Sequence, residues 1–276
     1  MQYFVYDVFT DTPFGGNQLA VIPDATGLSD TDMLTIAREF NFSETSFVLP
    51  PDDPNHTARV RYFTPTRELP FAGHPTIGTA IMLSDLGNDA DMVLELGVGP
   101  LVAKAKDGAA SFVTEHPLEI KGAPDMTLVA RAIGCAPDDI LSQPVLASLG
   151  GDFVFAQLKD RKTLSALSPN LDAMREGTAQ FPGNHDFAVY PWVDEGDVIH
   201  ARMFAPLDGI PEDPATGSAA APLAALLCKW RGAPVDITIH QGDDMGRPSR
   251  IKLIAEPGRV TVAGRAVKVM EGRLTV

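Results

Sequence analysis

"RYFTPTRELPFAGHPTIGTA", residues 61–80, has an echo later in the same chain, "RMFAPLDGIPEDPATGSAA", residues 202–220. Arg61, Phe63, Pro65 and Pro70 align with Arg202, Phe204, Pro206 and Pro211. Pro75, Gly78 and Ala80 then align with Pro214, Gly217 and Ala219, and Thr79 stands opposite Ser218. Further upstream, Gly15-Gly16-Asn17 before an apolar run parallels Gly150-Gly151-Asp152 before another. Three matches in one order, at a nearly constant offset close to half of the 276 residues, define an internal duplication. The chain reads as two homologous halves, 1–118 and 119–276, with a C-terminal strand that can cross back to the first.

In each half a strand ends in R-x-F-x-P and a helix follows, over 75–86 in the first copy and 214–230 in the second. Asp213 is the expected N-cap of the second helix, with Pro214 at its first position. His74 and Pro75 repeat the arrangement with a poorer cap. Small residues follow: Thr76, Gly78 and Thr79 in one copy, Thr216, Gly217 and Ser218 in the other. They leave backbone N–H groups uncovered, and a helix N-terminus with bare amides binds anions. Two such termini facing each other would form a cleft for a carboxylate. Gly73, Gly78 and Thr79 have almost the spacing of a phosphate loop, but the lysine that pattern needs is absent.

The rest of the chain alternates between short apolar runs and a few helical patterns. Strand-like runs lie at 2–8, 18–23, 45–49, 57–63, 92–96, 100–105 and 110–115, then at 144–149, 153–158, 186–193 and 198–205. A helical pattern follows the capping candidates Ser29 and Asp30, another runs over 170–180, and a short helix between Asp125 and Gly134 has a cap at each end. Many short strands with few helices indicate an α+β fold, each sheet curled around a helix.

Composition narrows the partners. Apolar residues make up 45% and charged residues 21%, enough for a packed core. The formal net charge of −14 argues against nucleic acid and anionic membranes, which need a basic footprint. No run approaches the roughly 18 apolar residues of a membrane span. "MQYFVYDVFT" reads as a strand, not a leader. Two cysteines, Cys135 and Cys228, fit a reducing, cytoplasmic setting.

The segments "DVFTDTPFGGNQLAVI", "NFSETSFV", "RYFTPTRELPFAGHPTIGTA", "EDPATGSAAAPLAALL" and "QGDDMGRPSRI" together resemble the PhzF-like family of phenazine-biosynthesis isomerases. The resemblance runs over almost the whole chain. It implies the fold of diaminopimelate epimerase: two pseudo-symmetric domains, each a barrel-like sheet around a central helix, with the active site between them. It implies a homodimer and no cofactor. It also implies proton transfer at carbon on a small carboxylate, such as isomerisation of trans-2,3-dihydro-3-hydroxyanthranilate. By motif, Glu44 of "SETSFV" would be the general acid and base, assisted by His74 and Asp213. Gly73, Thr76, Gly78, Thr216, Gly217 and Ser218 would line the substrate site. Such a carboxyl group works best with its pKa near working pH, and Phe42 and Phe47 are the expected apolar wall that would raise it. One departure is clear. The family's early Gly-Asn-Pro is here Gly16-Asn17-Gln18, which points to an altered turn or pocket wall and leaves the substrate identity open.

Two alternatives stand beside this reading. One is a racemase or epimerase of a small amino or hydroxy acid; the other is a carboxylate-binding protein without turnover. Cys135 and Cys228 do not fall at the motif positions of the paired thiols used by epimerase relatives, and read as core. No His-Glu-x-x-His or Cys-x-x-Cys spacing suggests a metal, and no G-x-S-x-G suggests a nucleophilic serine.

Overall fold

The structure, a computed structural model, describes residues 1–275. The chain divides into two compact units: Met1–Val113 together with the C-terminal segment from Val262, and Thr114–Thr261. Among the described residues no helix is long and apolar enough to cross a membrane.

The first unit runs β1 (Gln2–Val8), β2 (Asn17–Ile22), α1 (Asp30–Phe40), β3 (Glu44–Leu49), β4 (Ala58–Phe63), β5 (Glu68–Leu69), α2 (Gly73–Asp85), β6 (Asp91–Leu96), β7 (Gly99–Lys106) and β8 (Ala109–Thr114). The second runs β9 (Glu119–Gly122), α3 (Met126–Ile133), β10 (Val145–Ser148), β11 (Asp152–Gln157), α4 (Arg161–Ser165), α5 (Leu171–Gln180), β12 (Val189–Glu195), β13 (Val198–Ala201), α6 (Gly217–Arg231), β14 (Val235–Gln241) and β15 (Ser249–Glu256). The last strand, β16 (Arg259–Arg273), starts in the second unit and ends in the first.

The duplication is legible in the pairing. Along β1-β2-β3-β4-β6-β7 the pairs are antiparallel, parallel, antiparallel, parallel, antiparallel. Along β10-β11-β12-β13-β14-β15 the same series recurs. In the first unit β16 lies beside β8 and also pairs with β1, so eight strands close into a barrel. In the second unit β9 extends the series beyond β10.

Each series encloses one helix, and the sequences of those helices explain why. Every residue of α2 from Gly73 to Leu83 is buried, and a helix without a wet face belongs inside. It packs on β1, β2, β3 and β7. The curl is tight. A Cβ on Gly78 would lie 2.5 Å from Leu19 Cδ2 and 2.8 Å from Val8 Cγ2, so only glycine lets helix and strands approach this closely. In α6 the Ala219–Ala224 stretch plays the same part against β10, β11, β14 and β15.

The outer faces are covered by amphipathic helices. Ser29 and Asp32 form a capping box at the head of α1, which buries Met33, Ile36 and Ala37 against Ile22, Phe47 and Phe63. Asp125 caps α3 through the Thr127 and Leu128 amides, and Gly134 ends it in the left-handed region.

The helix starts differ from the sequence reading. α2 begins two residues before Pro75, which sits at its third position, where its missing N–H has no intrahelical acceptor to lose. α6 begins at Gly217, not at Pro214, and its N-cap is Thr216. Asp213 therefore does not cap a helix, and the once-equivalent Pro75 and Pro214 now stand in different local structures. The two-residue β5, four-residue β9 and five-residue α4 escape a periodicity reading because they are too short to show a period.

Candidate functional site

The first unit holds Glu44 and His74. Glu44 is the first residue of β3, and β3 lies beside β2 in parallel register, Leu19 opposite Glu44. His74 is the second residue of the enclosed helix α2. The fold brings His74 Nδ1 to 3.5 Å from Glu44 Oε2. Asn17 Nδ2 lies 3.4 Å from the same Nδ1, and Ser43 Oγ donates to Asn17 Oδ1 at 3.2 Å. Asn17 is thereby oriented from one side to address the imidazole on the other. Sequence reasoning gave Asn17 no role; its burial is the observation that exposes one.

Burial pushes the His74 imidazole down to about 3, offset in part by a hydrogen bond to the backbone of Gln18. His74 is therefore neutral at ordinary pH, and its approach to Glu44 is not an ion pair. Its Nε2 is buried without a hydrogen-bond partner among the described residues. An orphan polar atom beside a carboxyl group is a mark of a site.

The buried imidazole has a consequence for stability. Below its ordinary value of 6.5 the unfolded chain takes up a proton that the folded chain refuses until about 3. The contribution is full above pH 6.5 and declines as pH falls toward 3. Between pH 7 and pH 5 it amounts to about 2 kcal/mol. His74→Gln is expected to lose that share of the pH dependence. Urea unfolding of both proteins at the two pH values, followed by circular dichroism, measures it; equal pH dependence would refute the buried neutral state.

The second unit holds the turn before α6. Asp213 and Thr216 are both buried, and Thr216 Oγ1 donates to Asp213 Oδ2 at 2.6 Å. The organiser of this turn is Gln241, at the end of β14 and 1% exposed. Its Nε2 donates to Asp213 O at 2.7 Å and to Thr216 Oγ1 at 2.9 Å. Its Oε1 accepts from the Thr216 amide at 3.2 Å and from Tyr190 OH at 2.8 Å. Both N–H groups and both lone pairs of that amide are thereby used. Burial, with the Asp213 charge nearby, pushes the Tyr190 phenol well up, so it stays a donor. Gln241 stands in the quoted "QGDDMGRPSRI", but nothing in its spacing points to Asp213.

Several expectations change here. Thr76 is occupied within its own unit: Oγ1 donates to Ala72 O at 2.7 Å and meets Tyr62 OH at 3.0 Å, and its amide bonds Ala72 O. The amide and hydroxyl of Thr216 are likewise committed. Gly78 is small for packing against Leu19 and Val8, not to uncover an amide. The groups whose amides stand at a helix start without an intrahelical acceptor are Gly73 and His74 in α2, and Gly217 and Ser218 in α6. Phe47 cannot wall Glu44. Residues three apart on a strand point to opposite faces, and Phe47 packs against Phe63 under α1. Phe42 stacks on Phe40 at 5.9 Å. Gln18 is not in a turn; it lies in β2 opposite Asp7, where its retained N–H suits a strand as proline would not. As for the thiols, burial pushes Cys135 up to about 11, and Cys228 is buried on α6, so neither is a ready base.

Comparison with known proteins finds matches over nearly the whole chain. A family model described as phenazine biosynthesis-like protein matches residues 6–272. The chain is 38% identical over 301 residues to an uncharacterized isomerase of Mesorhizobium japonicum, covering 99% of this chain and 98% of that one. It is 38% identical over 287 residues to the trans-2,3-dihydro-3-hydroxyanthranilate isomerase of Pseudomonas aeruginosa, with 99% and 98% covered. Among solved structures, a PhzF-family phenazine biosynthesis protein of Bacillus anthracis superposes with a TM-score of 0.89 at 25% identity, over 100% of this chain and 99% of that one.

Proposed function

The chain belongs to the phenazine biosynthesis-like protein family and is an isomerase, and on that premise we propose that it moves a proton between carbons of a small carboxylate, with Glu44 as general acid and base. The observation that carries this reading is the neutral imidazole of His74 against the Glu44 carboxyl group, with Nε2 left unpartnered. A cationic histidine there would hold Glu44 ionised and make it a poor acid. A neutral one leaves the carboxyl group able to take a proton from one carbon and return it to another.

The remaining residues take supporting roles in the proposal. The first-turn amides open to an anion are that of Gly73 in the first unit and those of Gly217 and Ser218 in the second, and a substrate carboxylate is the anion they suit. Asp213, held by Thr216 and Gln241, accepts from an amino or hydroxyl group. His74 Nε2 engages a second polar group of the substrate. No step calls for chemistry beyond these side chains and amides. A homodimer in the cytoplasm is the setting that the resemblance implies.

The substrate named for the Pseudomonas relative is the first candidate, since it offers an amino group, a hydroxyl and a carboxylate. Incubating it with the enzyme in heavy water, followed by proton NMR, tests the reading. Isomerised product carrying deuterium at a ring carbon is expected. Conversion of neither this compound nor any related unsaturated amino or hydroxy acid would refute the proton transfer.

A further inference from the structure

The second unit also gathers two histidines and an aspartate. β13 and β14 run parallel, and His200 is the register partner of His240. Cross-strand partners project from the same face of a sheet, and the two rings stand 5.2 Å apart, nearly perpendicular. After β14 the chain turns sharply at Gly242, whose φ is +76°. A Cβ there would run into the backbone carbonyls of Arg247 and Pro214, so the turn requires glycine. The turn returns Asp243 to His240. One ligand atom from each of His200, His240 and Asp243 lies within 4.8 Å of the other two.

We propose that His200, His240 and Asp243 form a binding site for a divalent transition-metal ion such as Zn²⁺. Two imidazoles and a carboxylate are the donor set that zinc, nickel and cobalt favour. His200 carries the second observation. Its Nε2 lies 3.3 Å from Glu195 Oε2, a contact that favours the N–H on that nitrogen. The lone pair then falls on Nδ1, and Nδ1 is buried without a hydrogen-bond partner among the described residues. A buried acceptor facing no donor is costly, and a bound cation satisfies it. A carboxylate behind a histidine whose other nitrogen is bare is also how metal-binding histidines are commonly oriented.

One group opposes the ion. Arg250 Nη1 donates to Asp243 Oδ1 at 3.0 Å and to Ser249 O at 2.8 Å. Its side chain is 43% exposed and can swing into solvent, while the neighbouring Asp244 is held by Arg161 at 2.7 Å. Arg250 thus competes with the metal for Asp243, and the site sets one cation against another. That competition gives the proposal a sign that adventitious binding to surface histidines lacks.

The test uses the full chain, stripped with chelator and dialysed. Zn²⁺ is titrated by calorimetry, and Co²⁺ by its visible absorption, which reports coordination directly. One ion per chain is expected. Asp243→Asn and His240→Gln should each weaken binding by about 100-fold or more, and Glu195→Gln by about 10-fold. Arg250→Gln should tighten it by roughly 3- to 10-fold, because a like charge leaves the site. Circular dichroism confirms that each variant is folded. Affinity indifferent to Asp243→Asn and His240→Gln, or no stoichiometric binding in either wild type or Arg250→Gln, overturns the site. Neither result bears on Glu44, so the isomerase reading stands or falls separately.

Discussion

Arg202→Ala is expected to destabilise the second unit by about 3–5 kcal/mol, whereas Arg61→Ala, the same change in the duplicated motif, is expected to cost about 1 kcal/mol or less. Both arginines lie over the phenylalanine two residues on, at 4.7 Å for Arg202 on Phe204 and 5.2 Å for Arg61 on Phe63. Both grip a glutamate with two hydrogen bonds, Glu212 and Glu68 respectively. The surroundings differ. Arg202 and Glu212 are only 11% and 17% exposed, and Arg202 Nη1 also donates to the carbonyls of Leu164, Ser165 and Leu167. Removing it strands a half-sealed carboxylate and three carbonyls at the end of α4. Arg61 instead serves Glu68 and Asp30, which are 42% and 81% exposed and are readily served by water. The two tryptophans, Trp192 and Trp230, both lie in the second unit and stack on each other, so their fluorescence during urea unfolding follows that unit alone. Circular dichroism follows both units. Equal losses for the two variants would show that burial of the partners does not govern the motif.

That comparison also shows what a sequence can and cannot convey. The repeated R-x-F-x-P is visible as letters, and it corresponds to a repeated stack and a repeated grip on an acid. The acids themselves do not align: Glu68 follows its arginine by seven residues and Glu212 by ten. The order of parallel and antiparallel pairs follows from the duplication. Closure of the first barrel by β16 depends on pairing that only the register displays. Asp213 stands out in the sequence as a cap, but capping propensity is local, and the Gln241 clamp that holds Asp213 and Thr216 is not. Sequence distance sets Phe47 beside Glu44, whereas the period of a strand puts it on the far face. Asn17, Gln241 and the His200–His240 pair all act through contacts between segments far apart in the chain, which no spacing rule records.

Glu44→Gln is expected to lower kcat by about a thousandfold, with KM changed far less, because general acid–base groups contribute roughly 10²–10⁴ in rate. Glutamine keeps the length and the hydrogen-bonding capacity of the side chain, so the approach to His74 survives while proton transfer does not. Solvent deuterium should then fail to enter product carbon. The pH profile separates the two partners. His74 titrates near 3, below the working range, so a limb in kcat/KM between pH 4 and 9 belongs to a group other than the imidazole. His74→Gln should therefore reduce the rate without moving that limb, whereas Glu44→Asp should move it. If Glu44→Gln retained more than about a tenth of wild-type kcat, Glu44 would not be the proton carrier, and Asp213 would be the next carboxyl group to test. If instead the limb moved with His74→Gln, the imidazole would be titrating in the free enzyme within that pH range. The buried neutral ring, on which the acid–base role of Glu44 depends, would then be the wrong starting state.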